Sequence, residues 1–387
     1  MSVTAAKGFS ASGVACGIRR SAPDLAVVRS LEPAVGAAMF TANQMKAAPL
    51  VVSQAHLGVA EPQAVVINTG VANAATGAPG RLDALATAAE AARLLDLSPE
   101  QVIVLSTGVI GPRLPVGKLL AGLRSAVPAL SADGGHDAAV AIMTTDTRPK
   151  EAAITRDGFT VGGMAKGSGM IHPCLATMLA VLTTDYPLAE GEADAFLRPA
   201  VEESFNRISV DGDCSTNDAV ILLANGAARV SRDAARDASF ASALREVCAD
   251  LAAQLVADGE GATVLLEIAV SGAVSEVEAT AIARRIATSP LVKTAAFGRD
   301  PNWGRVLAAA GSATSNGGFA RLDPERVSLS FNGTPVFVAG GACDAQPDLG
   351  GTVCKIELDL GLGSGRASYL ASDLTYDYVR INADYTT

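Results

Sequence analysis

The residues GSGMIHPCLATMLAVLTTD, 167–185, change character at a threonine. A glycine-punctuated stretch runs through His172-Pro173 to the small residue Ala176, and from Thr177 the chain becomes apolar and strand-like. A threonine is a good first residue for a buried strand. It can also be a nucleophile whose own peptide bond breaks. Attack of its hydroxyl on the preceding carbonyl needs a small neighbour and a pliable approach. Gly167, Gly169 and Ala176 give room, while Pro173 fixes a local bend. Scission would leave a free α-amino group on the residue that carries the hydroxyl. Such an amine, with a pKa of about 7.7–8.0, serves as base for its own hydroxyl without a histidine. The chain has only three histidines, at 56, 136 and 172.

Acyl chemistry also needs donors for a developing oxyanion. STGVIG, 106–111, directly follows the strand-like QVIVL. This places Thr107 and Gly108 at a strand end, where a hydroxyl and a backbone N–H can face a cleft. A plain turn fits the same spacing.

Other motifs fail on their spacing. Gly111 to Lys118 is one residue too long for a nucleotide-binding loop, and Leu119 stands where a magnesium-binding hydroxyl is needed. GLGSGRAS, 361–368, has G-x-G-x-G spacing, which is weak for phosphate. DGDCSTND, 211–218, lacks the glycine and the terminal glutamate of a calcium loop. Six scattered cysteines form no CxxC pair, so no metal site is expected and reduced thiols are.

The 387 residues exceed one ordinary domain, and they are 49% hydrophobic but only 4% aromatic, with 38 glycines. That describes an aliphatic core with many tight turns. The net charge of −10, without any basic stripe, argues against a nucleic-acid partner. No signal-peptide core and no span of ~18 apolar residues is present, so a cytoplasmic protein without membrane contact is expected. Strands are expected at 64–68, 101–105, 264–270, 326–331 and 354–360. Helices are expected at 81–97, roughly 238–257, and 277–287. A domain boundary is placed at 275/276, giving lobes 1–275 and 276–387.

KGSGMIHPCLATMLAVLTTD closely resembles the self-cleavage and nucleophile segment of the glutamate N-acetyltransferase/ornithine acetyltransferase family of arginine biosynthesis. STGVIG, SFNRISVDGDCSTND (204–218), DGEGAT (258–263), FGRDPNWGR (297–305) and YVRINADYTT (378–387) resemble that family's other blocks, in the same order. The resemblance covers nearly the whole chain. It implies an α/β fold of the N-terminal-nucleophile type, with stacked sheets flanked by helices (αββα-like) and a smaller C-terminal α/β lobe. It implies cleavage at Ala176–Thr177 into an α chain, 1–176, and a β chain, 177–387, assembling as an α2β2 heterotetramer. Thr177 would take acetyl from N2-acetylornithine and pass it to glutamate, with Thr107 and Gly108 as the oxyanion hole. Thr144 (or Thr145), Lys166, Thr177, Glu260, Asn382 and Thr387 match the family's substrate contacts. No metal or organic cofactor is implied, and acetyl-CoA stays open as a co-substrate.

These assignments are chemically coherent. Lys166 or the tail residues Asn382 and Thr387 could hold an α-carboxylate. Glu260 could hold ornithine's side-chain ammonium, a role that its place after a helix C-terminus, where the dipole disfavours an acid, makes more reasonable. Asn206 and the 211–218 loop read as scaffolding rather than ligands, while Arg299, Asp300, Asn302, Trp303 and Arg305 could form a structural turn and are left unassigned. Cys174, Cys214 and Val264 depart from the family pattern, Val264 by removing a charge expected near Glu260. Two rivals remain: a self-processing amidase or aminopeptidase that uses water as acceptor, and a non-catalytic binding protein.

Overall fold

Apolar runs in the first two-thirds of the chain close into two stacked sheets. The computed structural model describes residues 2–172 and 178–384. The first sheet runs, in spatial order, Phe9–Val14, Leu25–Ser30, Ala64–Asn68 and Val102–Ser106. Its last two strands are parallel and the other neighbours antiparallel. The second runs Val35–Phe40, Ala219–Ala224, Leu179–Thr184, Phe159–Lys166 and Lys150–Arg156.

Alternation decides which side chains meet. Val28, Val65, Ile67 and Leu105 of the first sheet face Met164, Leu179, Val181 and Ile221 of the second in one buried core. The outer face of the first sheet, with Val27, Val66 and Val104, is covered by the helices Gly77–Leu95 and Val116–Ala126. Val220 and Leu222, on the outer face of the second, pack under Ala193–Glu202 and Ala234–Ala257. The order helix, sheet, sheet, helix is the αββα arrangement expected from the resemblance.

A third, seven-stranded sheet carries the helices Glu276–Ala287, Pro290–Phe297 and Trp303–Gly311. Its core opens at Val264, and the strand Leu265–Ala273 runs through the sheet's interior, bonded on both sides. Residues 264–275 therefore belong to the C-terminal lobe, and the boundary expected at 275/276 falls too late. A core face is shared from Val264 onward, although no loop marks that point. Val264 itself is buried in this core and packs there as an aliphatic side chain. The two-residue strand Ile208–Ser209 joins the edge of this sheet beside Gly365–Ser372 and ties the lobes together.

Candidate active site

The strand Val102–Ser106 delivers Thr107 and Gly108 to the end of the first sheet. Ser53 of the helix Ala48–Leu57 donates to Val104 O at 2.7 Å and accepts from Val104 N at 2.9 Å, fixing that strand from outside. Thr107 N–H donates to Asn68 O at 3.0 Å, and Ser106 Oγ donates to Asn68 Oδ1 at 2.6 Å. Asn217 closes the frame by donating to Ala72 O at 2.6 Å and Ser106 O at 2.8 Å. Gly108 has φ +130°, and a side chain there would strike the backbone of Gly70 and Val71. Only glycine fits, so Gly108 can present nothing but backbone.

Lys166 ends the strand Phe159–Lys166 of the second sheet, and its Nζ lies 3.4 Å from Thr107 Oγ1. Burial pushes the Lys166 pKa down, against the opposing pull of Asp146, Asp218 and Glu260. Behind it, the fully buried Lys150 bridges Asp146 at 2.6 Å and Asp258 at 2.5 Å. Asp146 also accepts from Gly167 N–H at 2.7 Å and Thr144 N–H at 2.8 Å. Burial would raise its pKa, but Lys166 and Lys150 outweigh that and hold the carboxyl well below its usual range. One carboxylate thus orders the loop of Thr144 and the turn after Lys166.

Asp258 ends the helix Ala234–Ala257, and Glu260 follows in DGEGAT. Glu260 accepts from Asn382 Nδ2 at 2.9 Å, which brings the helix Tyr376–Asp384 over the site. Gly261, at φ +68°, lies so close to the Asp377–Tyr378 backbone that a side chain would collide with it. The Thr375 hydroxyl completes the joint, donating to Gly261 O at 2.8 Å and accepting from Tyr378 N–H at 3.1 Å.

These elements enclose a cavity of about 110 Å³. Thr107, Gly108, Thr144, Lys166, Glu260 and Asn382 all line it, and so does Thr145. The structure therefore brings together every described residue that the sequence assigned to the site. Ala176, Thr177, Cys174 and Thr387 lie outside the described residues. Met178 and Leu179, which follow Thr177 in the chain, line the same cavity.

The family follows from the sequence as a whole. The ArgJ family model matches residues 10–387. The chain belongs to the ArgJ family. The arginine biosynthesis bifunctional protein ArgJ of Mycolicibacterium paratuberculosis is 49% identical over 397 residues, covering 100% of this chain and 96% of that one. Its counterpart in Streptomyces avermitilis is 46% identical over 391 residues, with both chains fully covered. Among solved structures, an ornithine acetyltransferase from Mycobacterium tuberculosis complexed with ornithine matches at 48% identity and a TM-score of 0.44. That match covers 45% of this chain and 96% of that one.

In this ArgJ-family chain the 211–218 loop does more than sequence reading assigned to it. Ser215, Asn217 and Asp218 line the cavity, and the Oδ2 of buried Asp218 has no hydrogen-bond partner among the described residues. Burial raises the Asp218 pKa well above the carboxylate range, although Ser215 and Lys166 pull it down. The acid-rich motif was visible in the sequence, but not which of its acids turns inward. Asp146, in MTTDT, was equally unmarked.

None of the three histidines lines the cavity. His56 Nδ1 lies 2.9 Å from Val102 O, and His136 Nδ1 lies 2.7 Å from Glu151. His172 Nε2 accepts from Arg284 Nη2 at 2.7 Å, which leaves the ring proton on Nδ1, facing Ser209 Oγ at 3.3 Å. Burial and the Arg284 charge push His172 down to about 4. Cys214 Sγ sits 3.6 Å from Thr41 Oγ1, and the five described cysteines are free thiols. FGRDPNWGR is a structural turn: Asn302 caps the helix Trp303–Gly311 by accepting from Arg305 N–H, and Arg299 holds Leu349 O.

Proposed function

We propose that the cavity transfers acetyl from N2-acetylornithine to glutamate through an ester on Thr177, the arginine-biosynthetic reaction of the ArgJ family. The observation that carries this reading is the convergence of Thr107, Gly108, Lys166, Glu260 and Asn382 on one cavity beside Met178.

Thr177 would first attack the Ala176 carbonyl. The peptide C–N bond breaks as the hydroxyl oxygen takes the acyl group, and water then hydrolyses that ester. This leaves a carboxylate on Ala176 and a free amine and hydroxyl on Thr177. The amine takes the hydroxyl proton as Thr177 attacks the acetyl carbonyl of acetylornithine, and it returns the proton to the departing ornithine nitrogen. Glutamate's amine collects the acetyl group in the second half-reaction. The Thr107 hydroxyl and Gly108 N–H would stabilise each tetrahedral oxyanion, a reading supported by their shared place in the cavity lining.

Binding chemistry follows the same lining. Lys166 supplies a cation for the α-carboxylate common to both substrates. Glu260, oriented by Asn382, supplies an anion for ornithine's side-chain ammonium. The proposed acyl chemistry calls for no cofactor. Among the described residues no group of acids, histidines and cysteines could hold a metal.

The cut would leave both pieces in one fold. Leu179–Thr184, on the β-chain side, pairs with Phe159–Lys166 on the α-chain side, Lys166 standing opposite Leu179. An α2β2 assembly would be a dimer of such cut units. No helix among the described residues is long and apolar enough to cross a membrane, and we place the enzyme in the cytoplasm.

Steady-state assays with glutamate as acceptor test the reading. Acetylornithine should serve as donor with ping-pong kinetics, and release of free acetate without glutamate would favour an amidase instead. The word bifunctional in the relatives' names supports a second activity. Acetyl-CoA-dependent acetylation of glutamate is our reading of it, and the same assay with acetyl-CoA decides it.

A further inference from the structure

The loop between Ile208–Ser209 and Ala219–Ala224 grips the chain on both sides of residues 173–177. Upstream, Val210 N–H donates to Ile171 O at 2.8 Å, and Ser209 Oγ lies 3.3 Å from His172 Nδ1. Downstream, Ala219 N–H donates to Met178 O at 2.9 Å. The strongest part of the upstream grip is a carboxylate. Asp211 Oδ2 accepts from Met170 N–H at 2.6 Å and Oδ1 from Ile171 N–H at 2.9 Å.

Two successive N–H groups aimed at one anion form a concave backbone nest, which needs a left-handed residue. Here that residue is Met170, at φ +54°. A long side chain disfavours this conformation, and glycine would adopt it freely. The bend is therefore held against a steric cost by the carboxylate that fills it.

We infer that Asp211 is a positioning residue for chain scission, holding the 170–171 bend so that the peptide between Ala176 and Thr177 is presented to the Thr177 hydroxyl. This rests on the self-cleavage reading above. Ile171 and Met178 are pinned to the same loop, so the chain between them starts and ends at fixed points, which would shorten any search for the attack geometry. Released from Asp211, Met170 would relax to a right-handed or extended backbone and redirect everything after it.

The test follows precursor synthesised in a cell-free system, with fragment appearance timed by intact mass. Asp211→Asn keeps an acceptor for one N–H but turns an NH2 group toward the other. It should slow cleavage at least ten-fold. Met170→Gly removes the steric cost, so Asp211→Asn/Met170→Gly should recover most of the rate. Met170→Gly alone should be cut at least as fast as wild type. Asp211→Asn cut at the wild-type rate overturns the inference. So does a slow Asp211→Asn that Met170→Gly cannot rescue, since that marks general structural damage. Uncut wild type would instead overturn the self-cleavage reading, and this inference with it.

Discussion

Lys166 Nζ and Thr107 Oγ1 stand 3.4 Å apart at the point where the ends of the two stacked sheets meet. The two residues are far apart in sequence, and neither can be placed without the other's sheet. If the Thr107 hydroxyl faces the reacting carbonyl, its removal should cost transition-state binding alone. Thr107→Ala should lower kcat by roughly 10²-fold, about 3 kcal/mol, with the acetylornithine KM little changed. A loss confined to KM would make Thr107 a binding residue instead.

Behind that pair, Lys150 holds two buried carboxylates, Asp146 and Asp258. Taking away the cation leaves Asp146 to Lys166 and two backbone N–H groups, and Asp258 to Thr147, in a buried setting. Lys150→Met should destabilise the fold by about 3–5 kcal/mol. Denaturant unfolding in a Thr177→Ala background measures this on one uncut chain. A change under ~1 kcal/mol would mean that the two acids find other partners or take up protons.

The elements of this chain were largely legible because their apolar patterns are local. AVVIN at 64–68 is a strand over those same residues, and the helix expected at 277–287 spans Glu276–Ala287. Ser98-Pro99, a familiar opening pair for a helical turn, starts a short 3-10 turn in which Gln101 Oε1 accepts from Ser98 N–H at 3.0 Å. The family blocks likewise led to Thr107, Lys166, Glu260 and Asn382, which meet in one cavity. What stayed hidden is what depends on packing between distant segments. Asp146 and Asp258 matter because Lys150 lies between them, and Asp218 because its strand start abuts Met178. Ile208–Ser209 is too short to show any pattern, yet it sutures the two lobes.

His172 gives the fold an acid limit. In the native chain it is neutral down to about 4, below its usual 6.5, because burial and Arg284 disfavour the imidazolium. Between those values the unfolded chain takes up a proton that the folded chain refuses. Stability from this residue is therefore complete above 6.5 and lost as the pH falls toward 4. His172→Gln should flatten that part of the profile, read as the thermal midpoint between pH 7 and 4. An unchanged acid limb in the variant would place the sensitivity elsewhere.

The end of the chain supplies the strictest test of the substrate site. Termini usually fray and tolerate change, yet the helix Tyr376–Asp384 is locked over DGEGAT by Thr375 and by the close approach of Gly261. Its last turn brings Asn382 to Glu260. Thr387 lies outside the described residues, and its role as a substrate contact comes from the family resemblance. Removing 384–387 should leave Asn382 free to fray away from Glu260, whose carboxylate would then be less well aimed at ornithine's ammonium. The KM for acetylornithine should rise about ten-fold or more. Cleavage at Ala176–Thr177 should continue, because the truncation keeps both the strand pairings that bound the Ser209–Ala219 loop and the contact of Tyr378 with Asp211. Comparing Asn382→Ala with the truncation separates the two contributions: equal effects place the whole loss at Glu260, and a larger effect of the truncation assigns the remainder to residues 384–387. A truncated enzyme with wild-type kinetics would remove the tail from the site.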